Sequence, residues 1–197
     1  QSNLNKLLNR TNNAKDIKFT KDSFNKTDHN NYIGQDTDEK NNRGWRIYQI
    51  KFGNQFTEHS KKDFPELVKV LSEMDEVKAC ALSILDEKTK IPIHVGYFKG
   101  VMRYMLALKV PEDRENCTLF VNGKTYSWEK NKSVLWDDNY PHKVNNNTNE
   151  SRIVFYMDIE RPLQFPLNYI RDFAMNAVQN SEYVKDEIKK SELKVKI

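Results

Sequence analysis

The chain has 197 residues, of which 38% are hydrophobic and 30% charged, and its formal net charge is +4. This length suits one domain with a tail or an insert, and no stretch approaches the ~20 apolar residues that a membrane-spanning helix needs. Acidic and basic residues are mixed along the chain, so the small basic excess does not indicate a nucleic-acid partner.

The first part of the chain, residues 1–43, is crowded with Asn, Lys, Asp and Thr, and its apolar residues are scattered. This composition is typical of a flexible polar arm. The chain begins with Gln rather than Met, so the sequence leaves open an upstream anchor or signal. We expect this polypeptide to be soluble, with a cytoplasmic location as the default.

From residue 44 onward the sequence alternates between short apolar runs and turn signals. The Asn122-Gly123 pair accepts the positive φ angles of a type I′ turn and predicts a hairpin. Helices are predicted over Lys61–Met74, with Asp63 as N-cap, and from Pro166 to about Lys190. Runs rich in β-branched and aromatic residues predict eight strands, over Arg46–Phe52, Lys78–Leu85, Ile91–Phe98, Val101–Val110, Cys117–Val121, Lys124–Trp128, Ser133–Trp136 and Arg152–Ile159. The pattern predicts one mainly β domain over residues 44–197, a small barrel or jelly roll with flanking α-helices.

Four histidines are the first candidates for chemistry. His29 lies in the polar arm and His59 in a polar stretch before a helix, so neither suggests a site. His94 and His142 lie in strand-like, apolar surroundings. Taken alone, that pair is most simply interpreted as two partly buried imidazoles, each satisfied by a hydrogen bond.

Two arginines in dense apolar strands change this interpretation. Arg103 shares one face of its strand with Met105 and Ala107, where an unpaired guanidinium would be costly without a buried anion. Arg152 opens another apolar strand ten residues after His142. Imidazoles bind Fe(II) and guanidinium grips carboxylate through paired hydrogen bonds, so this set suits a metal and a dicarboxylate.

Several segments repeat the order and spacing of a known family. They are IPIHVG at 91–96, GVMRYMLAL at 100–108, WEKNK at 128–132, WDD at 136–138 with His142 after it, and RIVFYMDIERP at 152–162. The run from Ile91 to Leu163 resembles the aspartyl/asparaginyl β-hydroxylase family, which comprises iron- and 2-oxoglutarate-dependent dioxygenases. The resemblance implies a double-stranded β-helix of the jelly-roll or cupin type.

The resemblance also assigns roles to individual residues. It implies that His94 and His142 bind Fe(II) and that Arg152 holds the distal carboxylate of 2-oxoglutarate. Ser83 and Arg103 would be further contacts to this co-substrate, and Trp45 would line the same pocket. Asp137 and Asp138 could orient an imidazole or cap a turn.

Two positions depart from the family's patterns. Gly96 stands two residues after His94, where most non-haem iron oxygenases carry a carboxylate ligand; this resembles the two-histidine subgroup of the family. Met105 stands where the family usually has His, so co-substrate binding would depend more on Arg103, Arg152 and Ser83.

The function implied is O2-dependent hydroxylation of an unactivated carbon, with ascorbate as a possible support. The implied substrate is the β-carbon of Asp or Asn in a protein or peptide. A lipid or small-molecule hydroxylase of the same superfamily and a catalytically inactive binding barrel are the alternatives.

Overall fold

The computed structural model describes residues 44–193. Its strands are β1 Trp45–Phe52, β2 Gln55–Phe56, β3 Val77–Leu85, β4 Thr89–His94, β5 Val101–Lys109, β6 Cys117–Val121, β7 Lys124–Ser127, β8 Ser133–Trp136, β9 His142–Asn146 and β10 Arg152–Glu160. Its α-helices are α1 Glu58–Asp63, α2 Pro65–Ser72, α3 Leu167–Gln179 and α4 Glu182–Leu193, and a 3-10 turn covers Arg114–Asn116. The predicted arm at 1–43 lies outside the described residues.

The strands form two antiparallel sheets. A large sheet has the order β2-β1-β3-β10-β5-β8, and a small sheet has the order β4-β9-β6-β7. This is the mainly β, double-stranded β-helix architecture of jelly-roll and cupin domains, with few helices. The predicted fold class is therefore confirmed.

Two apolar cores lie on opposite faces of the large sheet. The outer core joins this sheet to α2 and includes Leu71, Tyr104 and Leu106. The inner core lies between the two sheets and includes Met105, Ala107 and residues of β6 and β9. Strand β5 therefore alternates as predicted, and its Met105 face points toward the space where the candidate site lies.

The hairpin prediction is confirmed at Asn122 and Gly123, whose φ angles are 46° and 78°. Val121 pairs with Lys124 across this turn. Two positive φ angles at the central residues of a two-residue loop are what the right-handed twist of a hairpin favours.

The helix predicted over Lys61–Met74 is two helices, because Pro65 disfavours helical geometry at the residue before it. Asp63 is not the N-cap: Phe64 occupies that position, and the Asp63 carboxylate accepts a hydrogen bond of 2.8 Å from the Tyr48 hydroxyl. The C-terminal helix is also broken, between α3 and α4. There the Ser181 hydroxyl accepts the Val184 N–H at 3.4 Å.

Within residues 44–193, no helix has both the length and the apolar character needed to cross a bilayer.

Candidate metal and co-substrate site

Two histidines meet at one end of the small sheet. His94 on β4 pairs with His142 on β9, and their ring centroids are 4.0 Å apart. The pairing shifts register between Ile91 and His94, so that β4 carries one more residue than β9 there. Strict alternation from buried Ile91 would turn Ile93 inward; instead Ile93 is 63% exposed and His94 faces His142. The strand predicted to run to Phe98 ends at His94.

The hydrogen bonds of both rings leave their outer nitrogens available. The Nδ1 atoms lie 2.8 Å from the Pro92 carbonyl oxygen in His94 and 2.9 Å from the Tyr140 carbonyl oxygen in His142. A carbonyl oxygen only accepts, so each Nδ1 donates its proton, and in a neutral ring Nε2 is then the nitrogen that keeps a lone pair. Burial also lowers the pKa of His142 to about 4, which keeps this ring neutral near pH 7. A neutral imidazole whose Nδ1–H is held by a carbonyl oxygen can bind a divalent transition metal through Nε2.

The carboxylate of Asp138 lies beside Gly96, the residue two positions after His94. A Cβ placed on Gly96 would lie 2.5 Å from the Asp138 Cγ, so a side chain at 96 has no room while Asp138 stays there. Asp138 is 1% exposed, and burial raises its pKa. No group of three or more His, Cys, Asp and Glu with the geometry of a metal site occurs within residues 44–193. The described residues therefore fit a two-histidine site with a carboxylate close by.

Arg152 is a buried cation with no anionic partner within residues 44–193. Its side chain is on the inward face of β10 and the residue is 1% exposed. Nη2 donates to the Ser83 hydroxyl at 3.3 Å, while Nε and Nη1 are buried and have no hydrogen-bond partner among the described residues. Burial lowers the pKa of Arg152 to about 10, so the side chain is still charged at neutral pH. Since an uncompensated buried charge is costly, these free donors mark a place for an anionic ligand.

Ser83 and Trp128 contact this guanidinium, and Trp45 contacts Ser83. Ser83 accepts from Arg152 and, at 3.0 Å, from the Trp45 Nε1–H, so its own hydroxyl proton remains for another acceptor. The Trp128 ring lies 5.2 Å from the guanidinium carbon of Arg152, and its buried Nε1 has no partner in the described chain. Together they offer several donors to one carboxylate.

Sequence reasoning treated Trp128 as part of a hairpin and missed its contact with Arg152. The sequence feature that could have indicated this contact is the position of Trp128 just after a strand of the hairpin. A tryptophan side chain there is large enough to reach across the inner core. Trp128 and Trp136 are both in that core, and Trp136 packs edge-on against His142 with centroids 4.7 Å apart. Arg152 and the histidine pair therefore border the same space between the sheets.

Arg103 also faces this space, and the anion that pairs with it is a carboxylate of the protein itself. Its Nε and Nη2 donate to the two oxygens of Asp158 at 2.8 and 3.0 Å, and Nη2 lies 3.2 Å from the Asp138 Oδ2. The buried anion expected for this arginine is thus Asp158. A contact between Arg103 and the co-substrate stays a prediction, and it would have to use Nη1.

Neither His59, His29 nor Met105 adds a polar group to the candidate site in the part of the chain that the structure describes. His59 is 6% exposed, its Nε2 lies 2.8 Å from the Gln49 carbonyl oxygen, and it packs edge-on against Tyr48 of the outer core. His29 lies outside the described residues. Met105 is buried in the inner core and offers no strong donor.

Comparison with known proteins identifies the family of this chain. The family model described as aspartyl/asparaginyl beta-hydroxylase matches residues 11–162. The chain belongs to this family. It is 25% identical over 142 residues to an ornithine lipid ester-linked acyl 2-hydroxylase of Rhizobium tropici, covering 72% of this chain and 50% of that protein. It is 23% identical over 136 residues to the aspartyl/asparaginyl beta-hydroxylases of Mus musculus and Homo sapiens, covering 66% of this chain and 18% of each.

This member of the family thus spans half or less of the curated relatives that it matches. Among solved structures, the cupin domain of Schizosaccharomyces pombe Cnp3 is similar at a TM-score of 0.38 and 14% identity, covering 48% of this chain and 61% of that one. A Cupin_2 domain of an Enterobacter cloacae transcriptional regulator gives a TM-score of 0.36 and 12% identity, covering 43% and 82%.

Proposed function

We propose that this chain is an Fe(II)- and 2-oxoglutarate-dependent dioxygenase that hydroxylates an unactivated carbon. The observation that carries the proposal is Arg152, a buried guanidinium with two nitrogens that have no hydrogen-bond partner among the residues the structure describes. It borders the same inter-sheet space as two histidines whose Nε2 atoms are available. A buried guanidinium without an anion does not stabilise a core, whereas a site for a metal and a dicarboxylate needs both a cation and a pair of imidazoles.

The residues present fit both groups. His94 and His142 would hold the iron through Nε2, and their Nδ1–H bonds to carbonyl oxygens would keep both rings oriented. Arg152 would hold the distal carboxylate of 2-oxoglutarate, with the Ser83 hydroxyl proton as a further donor. When bound, iron with 2-oxoglutarate and O2 supplies the oxidation of an unactivated C–H bond, and ascorbate keeps iron ferrous.

The chain's own contribution is placement, charge matching and exclusion of water. Burial keeps His142 neutral, so protons compete for its Nε2 only below about pH 4. Trp128 and Trp136 of the inner core pack against Arg152 and His142, respectively. The carboxylate of Asp138, which lies beside Gly96, would accept a hydrogen bond from a water bound to the metal.

The substrate is a separate proposal. Family membership favours the β-carbon of an Asp or Asn side chain in a protein or peptide. A lipid acyl chain is the second candidate, since the Rhizobium tropici relative is a lipid hydroxylase. Apolar residues beside His94 also favour it, because Ile93, Val95 and Tyr97 are 63%, 58% and 59% exposed.

A turnover assay tests the chemistry without knowledge of the substrate. The protein is incubated with Fe(II), ascorbate and labelled 2-oxoglutarate, and succinate is followed over time. We expect slow, uncoupled succinate formation that is lost in His142→Ala and retained in His59→Gln, whose histidine packs in the outer core. Arg152→Ala should raise the 2-oxoglutarate requirement on the order of a hundredfold, because a buried carboxylate loses its charged partner.

Equal succinate formation by the wild type and His142→Ala would remove the proposed centre. A wild type that binds neither iron nor 2-oxoglutarate would indicate the binding-only barrel. Once turnover is established, a peptide library and a set of lipid extracts screened for the addition of one oxygen atom would distinguish the two substrate classes.

A further inference from the structure

Helix α3 turns large apolar side chains away from the domain. Five such residues lie in the helix and just before it, and they are between 55% and 80% exposed: Phe165, Leu167, Tyr169, Ile170 and Phe173. Tyr169 and Ile170 are four and three residues before Phe173, so the three share one helix face. The rings of Phe165 and Tyr169 pack edge-on, with centroids 5.8 Å apart. These side chains therefore form one exposed apolar patch.

The side of α3 that packs on the domain carries polar side chains. Arg171 Nη1 donates to the Arg161 carbonyl oxygen at 2.6 Å, and the buried Gln179 side chain packs against Gly53. A helix on the surface of a domain usually turns its apolar side inward and its polar side outward, so this helix is reversed. An exposed apolar patch of this kind marks an interaction surface. Helix α3 also follows residue 162, where the match to the family ends.

A second set of exposed apolar side chains adjoins the histidine pair. Ile93 and Val95 stand on either side of His94 in the sequence, and both are more than half exposed. The chain that leaves His94 reaches α3 six residues later, because a Cβ placed on Gly100 would lie 2.9 Å from the Arg171 Cγ. Six residues span at most about 20 Å. We call Ile93, Val95 and the five apolar residues of the α3 patch the docking face.

The charges around the docking face are cationic. The segment 88–100 contains three lysines and no acidic residue. In the segment 161–181 the one acidic residue, Asp172, pairs with Arg171 at 2.6 Å. Lys99 is exposed and lies, in the sequence, between His94 and the contact with α3. Anionic lipid headgroups would complement such cations, while acyl chains would cover the apolar side chains.

We infer that the docking face binds an anionic lipid surface, with the apolar side chains of α3 inserted and Lys99 near the phosphates. A helix of 13 residues is about 20 Å long, and it would lie in the plane of the surface. Side chains this exposed protrude instead of lining a groove, and a fluid lipid layer needs no matching shape. A second copy packed face to face would bring like charges together. The inference concerns where the domain binds, so it stands or falls independently of the proposed function.

Flotation with lipid vesicles tests the inference on the full chain. One set of vesicles is phosphatidylcholine alone, and the other is phosphatidylcholine mixed with phosphatidylglycerol. Bound protein rises with the vesicles through a density gradient, whereas aggregated protein sinks. We expect the wild type to bind the mixed vesicles and to bind the neutral ones less. Ile170→Ser combined with Phe173→Ser should weaken binding to mixed vesicles on the order of tenfold or more, because inserted apolar area is lost.

Two further variants of α3 separate a lipid surface from other partners. Asn176→Ser changes an exposed polar residue of the same helix and should bind as the wild type does. Ile170→Leu combined with Phe173→Leu keeps the apolar character and changes the shape, so lipid binding should be retained. A protein partner with a shaped interface would not tolerate this change.

The charge contribution is tested at Lys99. Lys99→Gln should weaken binding to mixed vesicles on the order of fivefold and leave binding to neutral vesicles unchanged. Lys130→Gln is the matched control: Lys130 is exposed too, but the next residue, Asn131, donates its N–H to Ala107 near the opposite end of β5. This control should bind both kinds of vesicle as the wild type does.

A wild type that floats with neither kind of vesicle would overturn the inference. So would undiminished binding by the folded double serine variant, or a loss in the double leucine variant as large as in the serine one. If the double serine variant does not fold, Phe165→Ser takes its place. A dimer seen by light scattering that the serine substitutions dissociate, without vesicle binding, would assign the face to a second copy instead.

Discussion

Arg152 is a residue at which function opposes stability. Its guanidinium is buried, and within residues 44–193 two of its nitrogens have no partner and no anion compensates its charge. Replacement of a buried charge by an apolar side chain of similar volume often stabilises a protein. We predict that Arg152→Met raises the free energy of unfolding of the ligand-free chain by about 1–3 kcal/mol and abolishes 2-oxoglutarate binding. Denaturant unfolding and calorimetric titration measure the two effects.

Arg103→Met is the comparison for this experiment, because Arg103 is paired. Its loss leaves the buried carboxylates of Asp158 and Asp138 without a cation, so this variant should lose about 3–5 kcal/mol. A loss of stability of similar size in both variants would mean that Arg152 has an anion of its own.

His142 makes the stability of the metal-free protein depend on pH. Its pKa in the folded state is about 4, lowered by burial from the usual 6.5. The unfolded chain therefore binds a proton between pH 6.5 and 4 while the folded chain does not, and stability falls as the pH falls through this window. The contribution of this residue is about 3 kcal/mol, measured by chemical unfolding in chelator across that range.

Other groups also titrate there, so the informative quantity is a difference between two proteins. His142→Gln removes the proton uptake of this ring, and its stability should fall less steeply between pH 6.5 and 4. Parallel curves for the wild type and His142→Gln would show that His142 is not buried in neutral form.

In strand β4, the alternation of apolar and polar residues does not determine which side chains face inward. Alternation alone would place Ile93 beside Ile91 on the inward face, yet one extra residue in β4 puts His94 opposite His142. Register shifts of this kind re-aim side chains and depend on the partner strand, which no local pattern contains. The structure therefore turns His94, which is itself exposed, toward His142 against the simple period of two.

We predict that exchanging two neighbours, Ile93→His with His94→Ile, abolishes metal binding although the composition is unchanged. The histidine would then occupy the outward position and no longer face His142. Mn(II) binding measured by electron paramagnetic resonance should match that of His94→Ala alone. Metal affinity equal to that of the wild type would mean that the register of β4 differs from the one described.

Elements with strong local signals were predictable, and those decided at a distance were not. The Asn122-Gly123 turn and the two faces of β5 follow from local chemistry and periodicity. The break at Phe64 has a local cause, the following Pro65, and was overlooked. By contrast, Asp63 as a partner of Tyr48 depends on packing between α1 and β1.

The candidate site also contains residues that the sequence could predict and residues that it could not. His94, His142, Arg103 and Arg152 were found from residue type, apolar surroundings and resemblance to a family. Their partners were not found, because Asp158 is 55 residues from Arg103 in the sequence and Trp128 reaches Arg152 only across the inner core. The architecture of two facing sheets is what brings these distant residues together around one space.

A crystal structure of the full chain grown anaerobically with Mn(II) and 2-oxoglutarate tests the central claim most directly. Mn(II) takes the place of Fe(II) without turning over. We predict the metal on the Nε2 atoms of His94 and His142, and the distal carboxylate of 2-oxoglutarate on Arg152 and Ser83. A metal bound elsewhere, or a co-substrate whose carboxylate does not reach Arg152, would contradict the proposed site.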